Sequence, residues 1–228
     1  MLDFSLILLV LHIHFRITKN HRLYYPMNST NPLCVFFAGP PKAGKSVIGK
    51  ESIARPLDIP YLGMGALLRS KNQVPEHHGL APDETVIPLA MEWIYHRRKN
   101  HVPIIFCDGF PRNILQAQKA IPSLKKLGFE LWTVWLSKPL HACITELPRP
   151  DRKEEDTLHI RKRYRVYQEE TVPMQPLLKK ETRYLEFDTA HRVFSEVIHE
   201  ITLALELDHR VKKEKVREFP FFHTPALI

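Results

Sequence analysis

The feature that most constrains this chain is the run Gly39-Pro40-Pro41-Lys42-Ala43-Gly44-Lys45-Ser46, which directly follows Leu33-Cys34-Val35-Phe36-Phe37-Ala38. It satisfies G-x-x-x-x-G-K-[ST], a loop whose backbone N–H groups turn inward to cradle phosphates. The loop works only between a strand that feeds it and a helix that leaves it. Both flanks fit. The preceding residues are apolar and β-prone, and Val47 to Ala54 forms an acceptable short helix that stops before Pro56. In that context the loop from Gly39 to Val47, including Pro40, Pro41, Lys42 and Ala43, is expected to hold the donor phosphates. Lys45 would reach the β- and γ-phosphates, and the Ser46 hydroxyl would bind Mg²⁺.

The rest of the chain alternates in the way such a loop requires. Apolar, β-prone runs fall at Leu33–Ala38, Ile59–Leu62, Val102–Cys107, Leu131–Leu136 and Arg183–Phe187. Helical stretches fall at Gly44–Ala54, Glu84–Arg98, Ile114–Leu127, Leu140–Glu146, Thr157–Leu178 and Val193–Leu207. Strands separated by helices predict an α/β fold, a five-stranded parallel sheet covered on both faces. Ligands in such sheets bind outside the carboxyl ends of the strands, where the Gly39 loop lies.

A second strand end carries chemistry. Val102–Cys107 runs into Asp108-Gly109-Phe110-Pro111-Arg112. An acid at the tip of a strand beside the phosphate loop can order Mg²⁺-bound water, and Arg112, on a turn set by Gly109 and Pro111, offers a planar fork to a phosphate.

With these segments in place the chain resembles the adenylate kinase and nucleoside monophosphate kinase family. Asp108–Arg112 followed by Gln116 resembles the family's acceptor-binding segment. Tyr61-Leu62-Gly63-Met64-Gly65-Ala66-Leu67-Leu68-Arg69 is similar to the stretch that carries its first acceptor-phosphate arginine. Gly79-Leu80-Ala81-Pro82-Asp83-Glu84 is similar to the segment along the acceptor base. Asp151-Arg152-Lys153 and Arg161-Lys162-Arg163-Tyr164, with Tyr167, Thr171 and Pro173, look like the end of the lid and the helix behind it.

The resemblance runs from about Leu33 to Leu207 and implies a three-layer P-loop fold with small acceptor-binding and lid insertions. It implies transfer of the γ-phosphoryl group of ATP, with Mg²⁺, to a nucleoside monophosphate, AMP first. Arg69 and Arg112 would hold the acceptor phosphate, with Gly65, Ala81, Gly109 and Gln116 around the acceptor. Lys45, Arg112, Arg152 and Arg163 would surround the group in flight. Such a reaction needs alignment and charge neutralisation more than covalent chemistry, so arginines should outnumber acids and bases. Two other readings remain at this stage: a nucleotide-binding regulatory protein with little turnover, or a P-loop kinase for another small acceptor such as UMP or CMP.

Several positions depart from the family pattern. Lys42 replaces a usual loop glycine and must accept a backbone conformation that glycine takes more easily. Met64 and Ala66 stand where the family has a threonine that touches the acceptor and an acidic residue. Glu146 falls where the lid's first arginine is expected, and only Leu147-Pro148-Arg149-Pro150 separates it from Asp151. The expected organisation is an extension over 1–31, a kinase domain over 32–208 with an acceptor lobe at 63–83 and a short lid at 146–153, and a tail over 209–228.

Composition bounds the partners. A net charge of +8 and a pI near 9.4 suit polyanionic ligands, and no RNA-binding or zinc-finger signature accompanies the charge. Cys34, Cys107 and Cys143 lie apart in apolar stretches and are expected to be buried thiols in a reducing, cytoplasmic setting. Phe4–Leu11 is apolar but too short to span a bilayer, and no basic segment precedes it. A monomer without stable membrane insertion is expected.

Overall fold

The computed structural model describes residues 31–73, 81–145 and 157–207. The expected extension over 1–31 lies outside these residues except for Asn31, and the tail over 209–228 and the lid over 146–153 lie wholly outside them.

Five strands form one parallel sheet in the order β2-β3-β1-β4-β5. They are β1 (Leu33–Ala38), β2 (Tyr61–Gly63), β3 (Ile104–Asp108), β4 (Glu130–Ser137) and β5 (Arg183–Asp188). Register is continuous: Leu33 pairs with Ile104 on one side and with Glu130 on the other. The central strand β1 is buried at every position. A parallel strand covered on both faces reads as an unbroken apolar run, and its pleat then divides the side chains between two cores. Cys34, Phe36 and Ala38 join Phe110, Trp135, Ile94 and Ile121 on one face. Leu33, Val35 and Phe37 join Ile48, Ile53, Phe106, Val197 and Ile201 on the other. Each large apolar side chain removed from water contributes about 1.5–3 kcal/mol, so both layers hold the sheet.

The helices are α1 (Ser46–Ala54), α2 (Met64–Ser70), α3 (Asp83–Lys99), α4 (Ile114–Lys126), α5 (Leu140–Thr145), α6 (Thr157–Val166), α7 (Gln175–Glu181) and α8 (Phe194–Ala204). Two differ from the sequence reading. Met64–Ser70 is a helix, where the sequence marked only an arginine-bearing stretch. The single helix expected over Thr157–Leu178 is divided: a wide π turn at Tyr167–Thr171 and a tight 3₁₀ turn at Val172–Met174 join α6 to α7. Pro173 and Pro176 lack the N–H that a continuous helix needs, which makes this the place for the pitch to change. Helix α1 is itself wound as a π-helix.

Strand β3 begins later than expected and extends to Asp108, so the acid is the last residue of the strand. It pairs with Phe37 of β1 and with Gly63 of β2. That placement positions the site.

Candidate active site

The loop after β1 is shaped by close backbone approach. Gly39 has φ +140, and a Cβ there would lie 2.1 Å from the carbonyl oxygen of Leu136 on β4. Gly44 has φ +88, and a Cβ there would meet the ring of Phe194 at 2.7 Å. Neither position can carry a side chain without displacing its neighbour. Lys42 adopts φ 60, as expected of a residue in a glycine position, and it is buried. Lys45 precedes α1, and its Nζ donates to the carbonyls of Gly39 at 2.9 Å and Pro40 at 2.7 Å. The ammonium therefore lies over its own loop. The first turn of α1 carries no acidic residue of its own, and the carboxylate that meets its first residue is Asp108 at the end of β3. Val47 is about half exposed.

Ser46 and Asp108 meet directly. Ser46 Oγ donates to Asp108 Oδ2 at 3.0 Å, and Tyr61 OH donates to the same oxygen at 2.8 Å. Burial first, and then the negative charge of Asp108 and the bond to it, push the Tyr61 phenol far above its ordinary range. It stays protonated and a donor. The sequence alone assigns Tyr61 no role. The signal lies in the sheet, since Tyr61 pairs with Phe106 two residues before Gly63 pairs with Asp108. Both side chains therefore fall on one face.

A hydroxyl and a carboxylate 3.0 Å apart are hard oxygen ligands of the kind Mg²⁺ takes. Among the described residues no group of three or more His, Cys, Asp or Glu could hold a metal ion by itself. The residues fit a Mg²⁺ ion that keeps waters and takes phosphate oxygens as its other ligands.

The acceptor side is built differently. Arg112 follows a cis Phe110–Pro111 bond and Gly109 with φ +80. Its guanidinium lies against Gly109, with Nη2 2.5 Å from the place a Cβ would take. Its backbone is gripped on both sides: the N–H donates to Gln116 Oε1 at 2.8 Å, and the carbonyl accepts from Thr171 Oγ1 at 2.8 Å. Asn113 caps α4 by accepting from Gln116 N at 2.9 Å. Asp83, in the first turn of α3, accepts from Gln116 Nε2 at 2.8 Å and from Asn113 Nδ2 at 3.1 Å.

Gln116 is therefore held otherwise than expected. Expected around the acceptor, it is 1% exposed and bonded to Arg112 and Asp83. One amide N–H and one carbonyl lone pair remain beyond those bonds. Met64 is buried in the core rather than lining an open pocket. Arg69 stands exposed in the last turn of α2, and Gly65 lies one turn before it. Ala81 is buried. Arg163 is half-buried on α6, beside Tyr164, whose hydroxyl donates to the Lys138 carbonyl at 3.2 Å. Arg152 and Glu146 lie outside the described residues.

Cys34, Cys107 and Cys143 are buried, as expected, and none joins a disulfide among the described residues. No helix among the described residues is long and apolar enough to cross a membrane.

No protein-family model matches the chain. Curated relatives do. It is 29% identical over 181 residues to the adenylate kinase of Xylella fastidiosa, covering 73% of this chain and 96% of that one. It is 27% identical over 166 residues to adenylate kinase 1 of Synechocystis sp., covering 68% and 87%. It is 29% identical over 156 residues to the adenylate kinase of Thermus thermophilus, covering 61% and 80%. Among solved structures, a shikimate kinase from Bacteroides thetaiotaomicron aligns with 76% of this chain and 98% of its own at a TM-score of 0.47 and 14% identity.

Proposed function

The chain is adenylate kinase-like, and from that premise we propose that it transfers the γ-phosphoryl group of ATP to a nucleoside monophosphate, AMP first, giving two ADP. The observation that carries the reading is the meeting of Ser46 and Asp108 at 3.0 Å beside a phosphate loop. The start of α1 and the end of β3 supply a hydroxyl and a carboxylate where the donor phosphates would bind. Mg²⁺ held there, by the Ser46 hydroxyl and by Asp108 through water, would neutralise the charge of the donor phosphates.

In the proposed reaction the loop amides hold the β- and γ-phosphates. Lys45 leaves the carbonyls of Gly39 and Pro40 for the phosphate oxygens, exchanging two neutral acceptors for charged ones. Arg112 and Arg69 hold the acceptor phosphate in line. An oxygen of that phosphate forms the new P–O bond as the bond from the γ-phosphorus to the bridging oxygen of ADP breaks. Arg163, with Arg152, neutralises the charge that spreads over the group in flight. The clamp on the Arg112 backbone has a catalytic sense, because a guanidinium must be held within a fraction of an ångström to align two phosphates.

AMP is proposed as acceptor on the names of the relatives. The protein would act as a cytoplasmic monomer. A coupled assay with ATP, Mg²⁺ and a panel of monophosphates tests the reading. AMP should be phosphorylated fastest. Faster turnover of UMP or CMP would move the specificity and keep the reaction class, and no turnover of any monophosphate would refute both.

A further inference from the structure

Resting on the phosphoryl-transfer reading above, we propose that Tyr61 is a positioning residue for the metal. Its hydroxyl fixes the rotation of the Asp108 carboxylate and leaves one oxygen of it to receive a metal-bound water.

Three observations converge. Both hydroxyls that reach Asp108, from Tyr61 and from Ser46, fall on Oδ2, and among the described residues no hydrogen bond falls on Oδ1. Tyr61 sits on the edge strand β2, tied to β3 by the register Tyr61–Phe106 and Gly63–Asp108. The donor is therefore carried by the sheet and not by a loop. Ser46, by contrast, belongs to the phosphate loop and has a second duty. Its single O–H can donate to Asp108 while its lone pairs face a cation. Any movement of that loop on binding phosphate moves the Ser46 bond with it. The Tyr61 bond, being sheet to sheet, stays. A carboxylate held by one fixed donor is oriented before the metal arrives, and losing a partner that orients a ligand typically costs about 10–100-fold in metal affinity.

A purely structural role, fastening β2 to β3, predicts something else. It would lower thermal stability and weaken all nucleotide binding alike. The positioning role predicts a loss confined to the metal-dependent part.

The test uses the full chain and the non-hydrolysable ATP analogue AMPPNP, with binding measured by calorimetry in excess Mg²⁺ and in EDTA. Wild type should bind more tightly with Mg²⁺ than without it. Tyr61→Phe, which removes one oxygen, should reduce that gain about tenfold, at the low end of the 10–100-fold range for such partners, and leave affinity in EDTA unchanged. Asp108→Asn should lose the same gain, and Tyr61→Phe added to it should cost nothing further. A Tyr61→Phe protein with the full Mg²⁺ gain overturns the proposal, as does an equal loss with and without Mg²⁺. An Asp108→Asn protein that keeps the gain overturns it however Tyr61→Phe behaves. If wild type binds the analogue under neither condition, the phosphoryl-transfer reading falls and the inference falls with it. A Mg²⁺ gain that Tyr61→Phe leaves intact removes the inference alone.

Discussion

The donor and acceptor sides of the site are made from different materials. The donor side is backbone. Its shape follows from Gly39 and Gly44, whose absent side chains let the loop lie 2.1 Å, measured from a notional Cβ, from the Leu136 carbonyl and 2.7 Å from the Phe194 ring. The acceptor side is side chain. Asp83, Asn113, Gln116 and Thr171 come from three separate helical segments and are tied to one another and to the Arg112 backbone by hydrogen bonds of 2.8–3.1 Å. A backbone site is specified by which residues are small. A side-chain site is specified by which residues are paired, and it can be retuned one pair at a time.

The largest effect should come from charge on the donor side. Lys45→Ala removes the ammonium that reaches the donor phosphates and no core volume. It should lower kcat/KM by about 10³-fold or more, the scale on which a single cation acts in phosphoryl transfer. Circular dichroism should be unchanged. Turnover like that of wild type would take the loop out of the mechanism.

Arg163→Ala should come next. Its charge is needed most while the phosphoryl group is in flight, so kcat should fall by roughly 10³-fold with little change in the KM for ATP. A rise in KM alone would make Arg163 a uniform binder instead.

Gly39→Ala tests the backbone half of the comparison. The methyl group would require the β4 carbonyl to move and a positive φ to be kept by an L-residue. The expected cost is about 3 kcal/mol or more, read as a lower urea midpoint. A protein of ordinary stability would show that the loop is more compliant than its contacts indicate.

Gln116→Ala tests the other half. It leaves the Arg112 N–H without its acceptor and Asp83 without one of its donors, for a loss of about 2 kcal/mol by thermal or urea unfolding. The KM for AMP should rise because Arg112 is no longer clamped, while ATP affinity should hold. Weaker ATP binding in this variant would mean the two sides are coupled, and the contrast between them would need redrawing.

The same contrast explains how much could be read from the chain alone. The Gly39–Ser46 loop, the strand before it, the sheet class and the positive φ at Lys42 were all legible. Each is a local consequence of glycine, apolar runs and spacing. Tyr61 was not. Its bond to Asp108 depends on the pairing of two strands more than 40 residues apart, and no spacing within either strand announces it. Gln116 was legible only halfway. The i, i+4 step puts it on the same side of the turn as Arg112, and the two do meet at 2.8 Å, but Asp83 arrives from a different helix to take the other end of the amide. The division of the long helix near Pro173 was underread, although Pro173 and Pro176 fall in the last turns of the expected Thr157–Leu178 stretch, where a proline ends or kinks a helix. Here it marks a change of pitch between α6 and α7.

The smallest expected effect is also the most direct test of the comparison, because it repeats the glycine substitution on the other side. Gly65 lies in the first turn of α2, and a Cβ there would find only Arg69 Nη1, at 3.5 Å, an ordinary contact with the far end of a flexible side chain. Its φ is not positive, unlike those of Gly39 and Gly44. Nothing in the fold therefore requires glycine at this position. Alanine should stabilise the helix by up to about 1 kcal/mol, through lower backbone entropy in the unfolded chain. A gain of that size would raise Tm by only a few degrees in a domain of this length. If Gly65 lines the acceptor site, its reason for being glycine is the ligand, and the cost should appear as a higher KM for AMP with kcat and the KM for ATP nearly unaltered. The two glycine variants should thus separate cleanly, one losing the fold and the other losing only affinity. A Gly65→Ala protein that is more stable and binds AMP as well as wild type would remove Gly65 from the acceptor site. One destabilised as severely as Gly39→Ala would show that the acceptor side, too, is set by its backbone.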